Sequence, residues 1–151
     1  MPVRDTYGKL YGFVARSLGT NDGPKTLSFL DGNRGAWYPC AGAKEVIIVE
    51  DQLSAIRASR YLHAVALLGT NLSDELLSAL VQQGYDSVHL ALDKDAYDKA
   101  VKTALRIRNK LKVYVPRLDK DIKDLSEEQL VDWLIKESVL HIPQDIKEVS
   151  K

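Results

Sequence analysis

A single cysteine, Cys40, in 151 residues rules out an intramolecular disulfide. No Cys/His cluster has the spacing of a structural zinc site, and the composition fits a reducing, cytoplasmic setting. An excess of either charge is also missing. Twenty-one basic residues balance 21 acidic ones, so the chain as a whole lacks the strong positive field of many nucleic-acid binders. No apolar run approaches the roughly 20 residues that a bilayer span needs, and the opening MPVRDTYGKL has no signal-peptide core. The expectation is a chain with no membrane partner. A phosphate-cradling Gly-x4-Gly-Lys-Ser/Thr loop is absent too.

What is present is 45% hydrophobic residues, enough for one compact domain or for one domain with a small accessory lobe. Residues 1–44 lean basic, with Arg4, Lys9, Arg16, Lys25, Arg34 and Lys44 against Asp5, Asp22 and Asp31. Short extended pieces at LYGFVARSL, KTLSF and GAWYP are separated by the turn-like GTNDGP and DGNRG. This segment reads as a small mixed or β-rich lobe. A larger domain follows over residues 45–142, and 143–151 reads as a flexible tail.

Within the larger domain EVIIVE, HAVALLG, DSVHLALD and KVYVP read as buried strands. Helical segments alternate with them. DQLSAIRASRY has helical spacing, and SDELLSALVQQG is punctuated by Ser73 at its start and Gly84 at its end. Tyr97, Ala100, Val101, Ala104, Leu105 and Leu111 mark the inner face of a third helix, and Ser126 with Gln129 form a capping-box pair before a fourth. The predicted class is α/β: a mainly parallel sheet of about four strands with helices on both faces, preceded by the small lobe.

Ligands of such sheets gather at the carboxyl ends of the strands. Glu50 ends the first strand, and Asp93 with Asp95 ends the third. If these strands are neighbours, three carboxylates converge, and a bound cation, protonation or solvent would have to offset their repulsion, a hard divalent metal being the natural solution. Oxygen donors with open water positions suit Mg²⁺ (or Mn²⁺), and the chemistry expected of such a centre is phosphoryl or nucleotidyl transfer. A further acidic group, Asp119, Asp121 and Asp124, follows the fourth strand and would reach the same rim. His63, His89 and Cys40 lack partners at ligand or triad spacing. Trp37, Tyr38 and Trp133 fit core packing better than base stacking.

In order, EVIIVE, LLGT at Leu67 to Thr70, LDKD and KDIKD resemble the successive motifs of the TOPRIM domain. That domain is shared by bacterial and phage primases, topoisomerases and several nucleases. The upstream PVRDTYGKLYGFVARSLGTNDGPKTLSF resembles the segment that precedes TOPRIM in bacterial-type primases, matching at Pro2, Arg4, Asp5, Gly8, Gly12, Phe13, Arg16, Pro24 and Lys25. The resemblance implies a primase-like nucleotidyltransferase that makes RNA primers on single-stranded DNA from nucleoside triphosphates. It implies Glu50 as general base or metal ligand, Asp93 and Asp95 as catalytic metal ligands, and Asp121 and Asp124 as further ligands. Arg4, Arg16 and Lys25 would face the template or the nucleotide phosphates.

Two departures stand out. Asp51 follows the glutamate where the family usually has Gly, and Ser54 stands where an aspartate is frequent. The chain also lacks the zinc ribbon and helicase motifs of larger primases, so a helicase or a template-reading partner would supply those functions. The expected location is the cytoplasm, the host's if the chain is phage-encoded. A TOPRIM nuclease and a non-catalytic nucleic-acid-binding adaptor of the replication machinery are the alternative readings.

Overall fold

β-Branched runs alternating with 3.6-periodic segments build the larger part of the molecule, and shorter strands bearing Gly and aromatic residues build the rest. The structure, a computed structural model, describes residues 1–16, 26–32, 34–137 and 139, with the backbone alone for Arg16 and 26–28. In chain order the elements are β1 (Pro2–Arg4), β2 (Leu10–Arg16), β3 (Thr26–Leu30), β4 (Ala36–Tyr38), β5 (Glu45–Val49), α1 (Gln52–Ala58), β6 (His63–Ala66), α2 (Asp74–Gln83), β7 (Ser87–Leu90), α3 (Tyr97–Ile107), β8 (Val113–Tyr114) and α4 (Glu127–Lys136). Short 3-10 turns occupy Lys94–Ala96 and Ile122–Asp124.

The first three strands form an antiparallel sheet, the small β-rich part expected before the main sheet. The other five form a sheet ordered β4-β6-β5-β7-β8, parallel except for β4. All four expected parallel strands are there, each shorter than its apolar run. The added fifth strand comes from GAWYP, which pairs antiparallel with β6 through Trp37 and Val65. It lies within residues 1–44 yet belongs to the main sheet.

β5 shows why both faces are covered. Val46 and Ile48 join a core with Leu76, Leu77 and Leu80 of α2 and with Ala100 and Ile107 of α3. Ile47 and Val49 join the opposite core with Ala55 and Ala58 of α1 and with Leu130 and Leu134 of α4. The period-2 alternation of the strand thus feeds two separate apolar layers.

Chain order sets the site. β5 leads into α1 on one face of the sheet, whereas its neighbour β7 leads into α3 on the other. Connections leaving in opposite directions from adjacent parallel strands open a crevice at their carboxyl ends, the topological switch point of an α/β sheet.

The lobe is keyed to this sheet by polar contacts. The Tyr11 hydroxyl donates to the carbonyl of Gly35 at 2.7 Å. The Gln52 amide, in the first turn of α1, donates to the carbonyl of Pro2 at 3.1 Å and to the Tyr38 hydroxyl at 2.5 Å. Gly35 has φ +73°, and a Cβ there would meet Cγ1 of Val65 at 2.7 Å. Gly35→Ala therefore combines left-handed strain with a clash and should cost about 1–3 kcal/mol. Urea denaturation of the variant measures this, and an unchanged midpoint would contradict the packing described.

Candidate functional site

Glu50 follows β5 directly, and Asp93 lies three residues beyond the end of β7, so the switch point brings their carboxyl groups within hydrogen-bonding reach. Both side chains are partly buried. Burial, the hydrogen bond to Asp93, and the nearby charges of Asp93, Asp121 and Asp51 together push the Glu50 carboxyl up to about 8. Two carboxylates at this range cannot both stay ionised cheaply, so Glu50 keeps its proton to a higher pH than a free carboxyl does.

The third acidic group arrives from the loop after β8. Asp121 accepts from the backbone N–H of Lys94 at 3.0 Å, tying that loop to the turn after Asp93. Arg57 of α1 donates to the carbonyl of Ile122 at 2.6 Å, and the guanidinium of Arg117 lies 4.7 Å over the ring of Tyr97. The loop is thus held from both sides of the crevice.

Other expected ligands sit further out. Asp95 and Asp124 are exposed on the two 3-10 turns, and neither lines the cavity beside Glu50. The i, i+2 spacing of Asp93 and Asp95 suggests one face only if the strand continues, but β7 stops at Leu90 and residues 94–96 coil into a turn. Asp119 is exposed in a separate groove beside Trp133. Among the described residues no three carboxylate, imidazole or thiol side chains already form a cage for one ion.

The cavity itself, about 520 Å³, joins Glu50, Asp51 and Asp93 to an apolar wall of Met1, Val14 and Leu53. Its cation is Lys123, 3.8 Å from Asp51. Asp51, the residue that departs from the TOPRIM pattern, is the N-cap of α1 and accepts from the N–H of Ser54 at 2.9 Å. Its charge serves the helix and the lysine more than an ion. An Asp directly before a helical run is the local signal of that cap. Lys123 carries no comparable signal, because only the folded loop turns it inward.

The exit from β6 closes the site. The N–H of Leu68 donates to the carbonyl of Glu50 at 2.8 Å, and Leu68 and Gly69 line the cavity. Leu68 has φ +61°, a left-handed conformation that costs a non-glycine residue about 1 kcal/mol or more. The LLGT element is a strained backbone approach to the acidic pair, followed by Asn71 and by the Ser73 cap of α2.

Of the basic residues, Arg4 is exposed on β1, where its guanidinium donates to the carbonyl of Gly8 at 3.1 Å. Arg16 lies in β2, with its side chain outside the described residues, as is all of Lys25. Arg34, not singled out in the sequence, packs over the Tyr11 ring at 4.3 Å and stands 4.0 Å from Asp5. His89 is buried with its Nε2 3.0 Å from Glu45, at the amino end of the sheet, and His63 accepts from the N–H of Cys40. Trp37 is 9% exposed and donates to the carbonyl of Arg34, a core position.

Fold and site together define an α/β protein with a carboxyl pair at the switch point of its sheet. No protein-family model matches the sequence, and no curated protein does. Among solved structures the chain is similar to the crystal structure of the zinc-binding and RNA polymerase domains of the Aquifex aeolicus primase, with a TM-score of 0.68 and 24% identity. That match covers 90% of this chain and 39% of the other, so the chain spans well under half of the protein it resembles. The fold is therefore of the primase type. No helix among the described residues is long and apolar enough to cross a membrane.

The raised Glu50 pKa has a stability signature. The folded chain holds one more proton than the unfolded chain between about pH 4.5 and 8, so this carboxyl's contribution is full below 4.5 and is lost as pH rises through 8. Glu50→Gln should match the wild type near pH 4.5 and exceed its stability increasingly toward pH 8–9. Thermal melts across that range check it; parallel pH profiles for the two proteins would contradict the raised pKa.

Proposed function

We propose that this chain carries a metal-dependent nucleotidyl-transfer centre of the TOPRIM primase type, which joins ribonucleotides into short RNA primers on single-stranded DNA during replication. The observation that carries the reading is the Glu50–Asp93 carboxyl pair at the switch point of a primase-type fold.

The donor set suits Mg²⁺ or Mn²⁺, which take one or two protein carboxylates and keep water and substrate phosphates as their other ligands. Glu50 and Asp93 would hold the ion and Asp121 would support it, with Asp95 and Asp124 on the adjoining turns as further ligands. When bound, the metal supplies charge neutralisation at the transferring phosphate. Where Asp93 and Asp121 alone hold the ion, Glu50 would instead serve, once its own proton has left, as base toward the attacking 3′-hydroxyl as the bond to the pyrophosphate leaving group breaks. Lys123 offers a point charge to the phosphates, and the apolar wall of Met1, Val14 and Leu53 offers a surface for a base. Arg4, Arg16 and Lys25 would contact the template backbone. A template-reading partner or a helicase would act beside this centre.

One observation favours a second reading, a non-catalytic nucleic-acid-binding module: the absence, among the described residues, of a ready-made three-ligand cage. The two readings separate in a template-directed ribonucleotide incorporation assay with Mg²⁺ or Mn²⁺. The primase reading expects short RNA, with a loss of at least about 100-fold in Asp93→Asn/Asp95→Asn and an unchanged circular dichroism spectrum. A nuclease would instead shorten labelled strands, and a binding module would do neither. Full turnover by the double variant removes the assigned site.

Metal binding has its own readout. Because Glu50 is protonated below about pH 8, Mg²⁺ should displace about one proton per ion at pH 7. Calorimetric titrations in two buffers of different ionisation enthalpy measure that release, and Glu50→Gln should abolish it.

A further inference from the structure

Charge in this chain is neutral in sum but not in distribution. From Lys99 to Leu118 there are seven basic residues, Lys99, Lys102, Arg106, Arg108, Lys110, Lys112 and Arg117, and no acidic one. One third of the basic residues therefore fall in 20 consecutive positions, and the rest of the chain is net acidic. Helix α3 arranges part of this run. Its buried face is Ala100, Thr103 and Ile107, so Lys99, Lys102 and Arg106, at i, i+3 and i+7, share a neighbouring exposed face. At 1.5 Å rise per residue they span about 10 Å, and Lys110 continues the row past the helix end.

The row leads to the acidic cavity. Lys99 donates to the Thr70 hydroxyl at 2.5 Å, and Arg106 donates to the carbonyl of Leu72 at 2.7 Å. Both contacts fall on the loop whose first residues, Leu68 and Gly69, line the cavity wall. The carboxylates beside the row are few. Arg106 has an ion pair at 3.6 Å with Asp74, whose side chain is 97% exposed, and Asp98 stands one turn before Lys102. Lys102 and Lys110 are exposed and have no ion pair among the described residues.

We infer that this face of α3, Lys99–Lys102–Arg106–Lys110, is a rail for the sugar–phosphate backbone of single-stranded nucleic acid. A row of exposed cations, of which Lys102 and Lys110 have no ion pair among the described residues, fits a strand that presents one charge per nucleotide. Its junction with the Leu68–Leu72 loop directs such a strand toward the acidic pair. The rail lies outside the carboxylate site and needs no metal, so it stands or falls apart from the chemistry proposed there.

The test is fluorescence anisotropy of an end-labelled 20-nucleotide single-stranded DNA as a function of salt. Compared with the wild type are Lys102→Ala/Lys110→Ala and a control, Lys44→Ala/Lys136→Ala. The rail variant should bind more weakly and lower the slope of log affinity against log salt by about 1.4, the value for two lost phosphate contacts on a single strand. The control should keep the wild-type slope. No binding by the wild type, an unchanged slope in the rail variant, or an equal fall in the control overturns the rail. So does competition by an acidic peptide of equal length as effective as that of unlabelled DNA, which would assign the face to an acidic protein. If the rail behaves as expected while no ribonucleotide is incorporated, the surface stands and only the catalytic reading fails.

Discussion

The organising constraint is the meeting of two carboxyl groups, Glu50 and Asp93, in a crevice that the sheet topology imposes. β5 and β7 are adjacent and parallel, and their connections depart to opposite faces, so the strand ends cannot be covered by either helix layer. Partial burial then makes two negative charges expensive there. The protein relieves the expense with one proton, with Lys123 beside Asp51, and with backbone N–H groups that tie down Asp121 and Asp51. Each device leaves the Glu50–Asp93 pair itself open to the cavity. Acidic charge is thus concentrated at the strand ends and not cancelled within a closed network.

Around this pair the supporting contacts are distributed by job. Arg57 and Arg117 fasten the loop bearing Asp121 to α1 and α3, from opposite faces of the sheet. Lys99 and Arg106 fasten the loop after β6. Leu68 holds a left-handed backbone in that loop, and its N–H is bonded to the carbonyl of Glu50. Such strain persists only where neighbours over-determine the conformation. Here they do, because the same turn forms one wall of the cavity.

Much of this was legible in the sequence because it rests on local rules. The four parallel strands announced themselves as apolar runs, and the caps at Ser73, Gly84, Ser126 and Gln129 all formed as read. The pairing of Glu50 with Asp93 followed from the strand-end rule alone. What escaped depends on contacts distant in the chain. GAWYP joins the main sheet because β6 has an open edge, which no pattern within the segment reveals. Asp95 looked equivalent to Asp93 until the chain coiled after Leu92 and turned it outward. Asp51 looked like an oddity of the motif, and it is the cap of α1. Lys123 was hidden among the aspartates of its own loop.

Gln52 extends the reach of these arrangements beyond the crevice. Its amide bridges the first strand of the lobe and Tyr38 at the end of β4, two residues along from Glu50 in the chain. The lobe and the backbone that presents the glutamate are therefore joined by this polar bridge as well as by the apolar layer that Val3, Tyr11 and Val14 share with β5. A shift of the smaller sheet would therefore be felt at the carboxyl pair through the polar bridge and the packed apolar layer together.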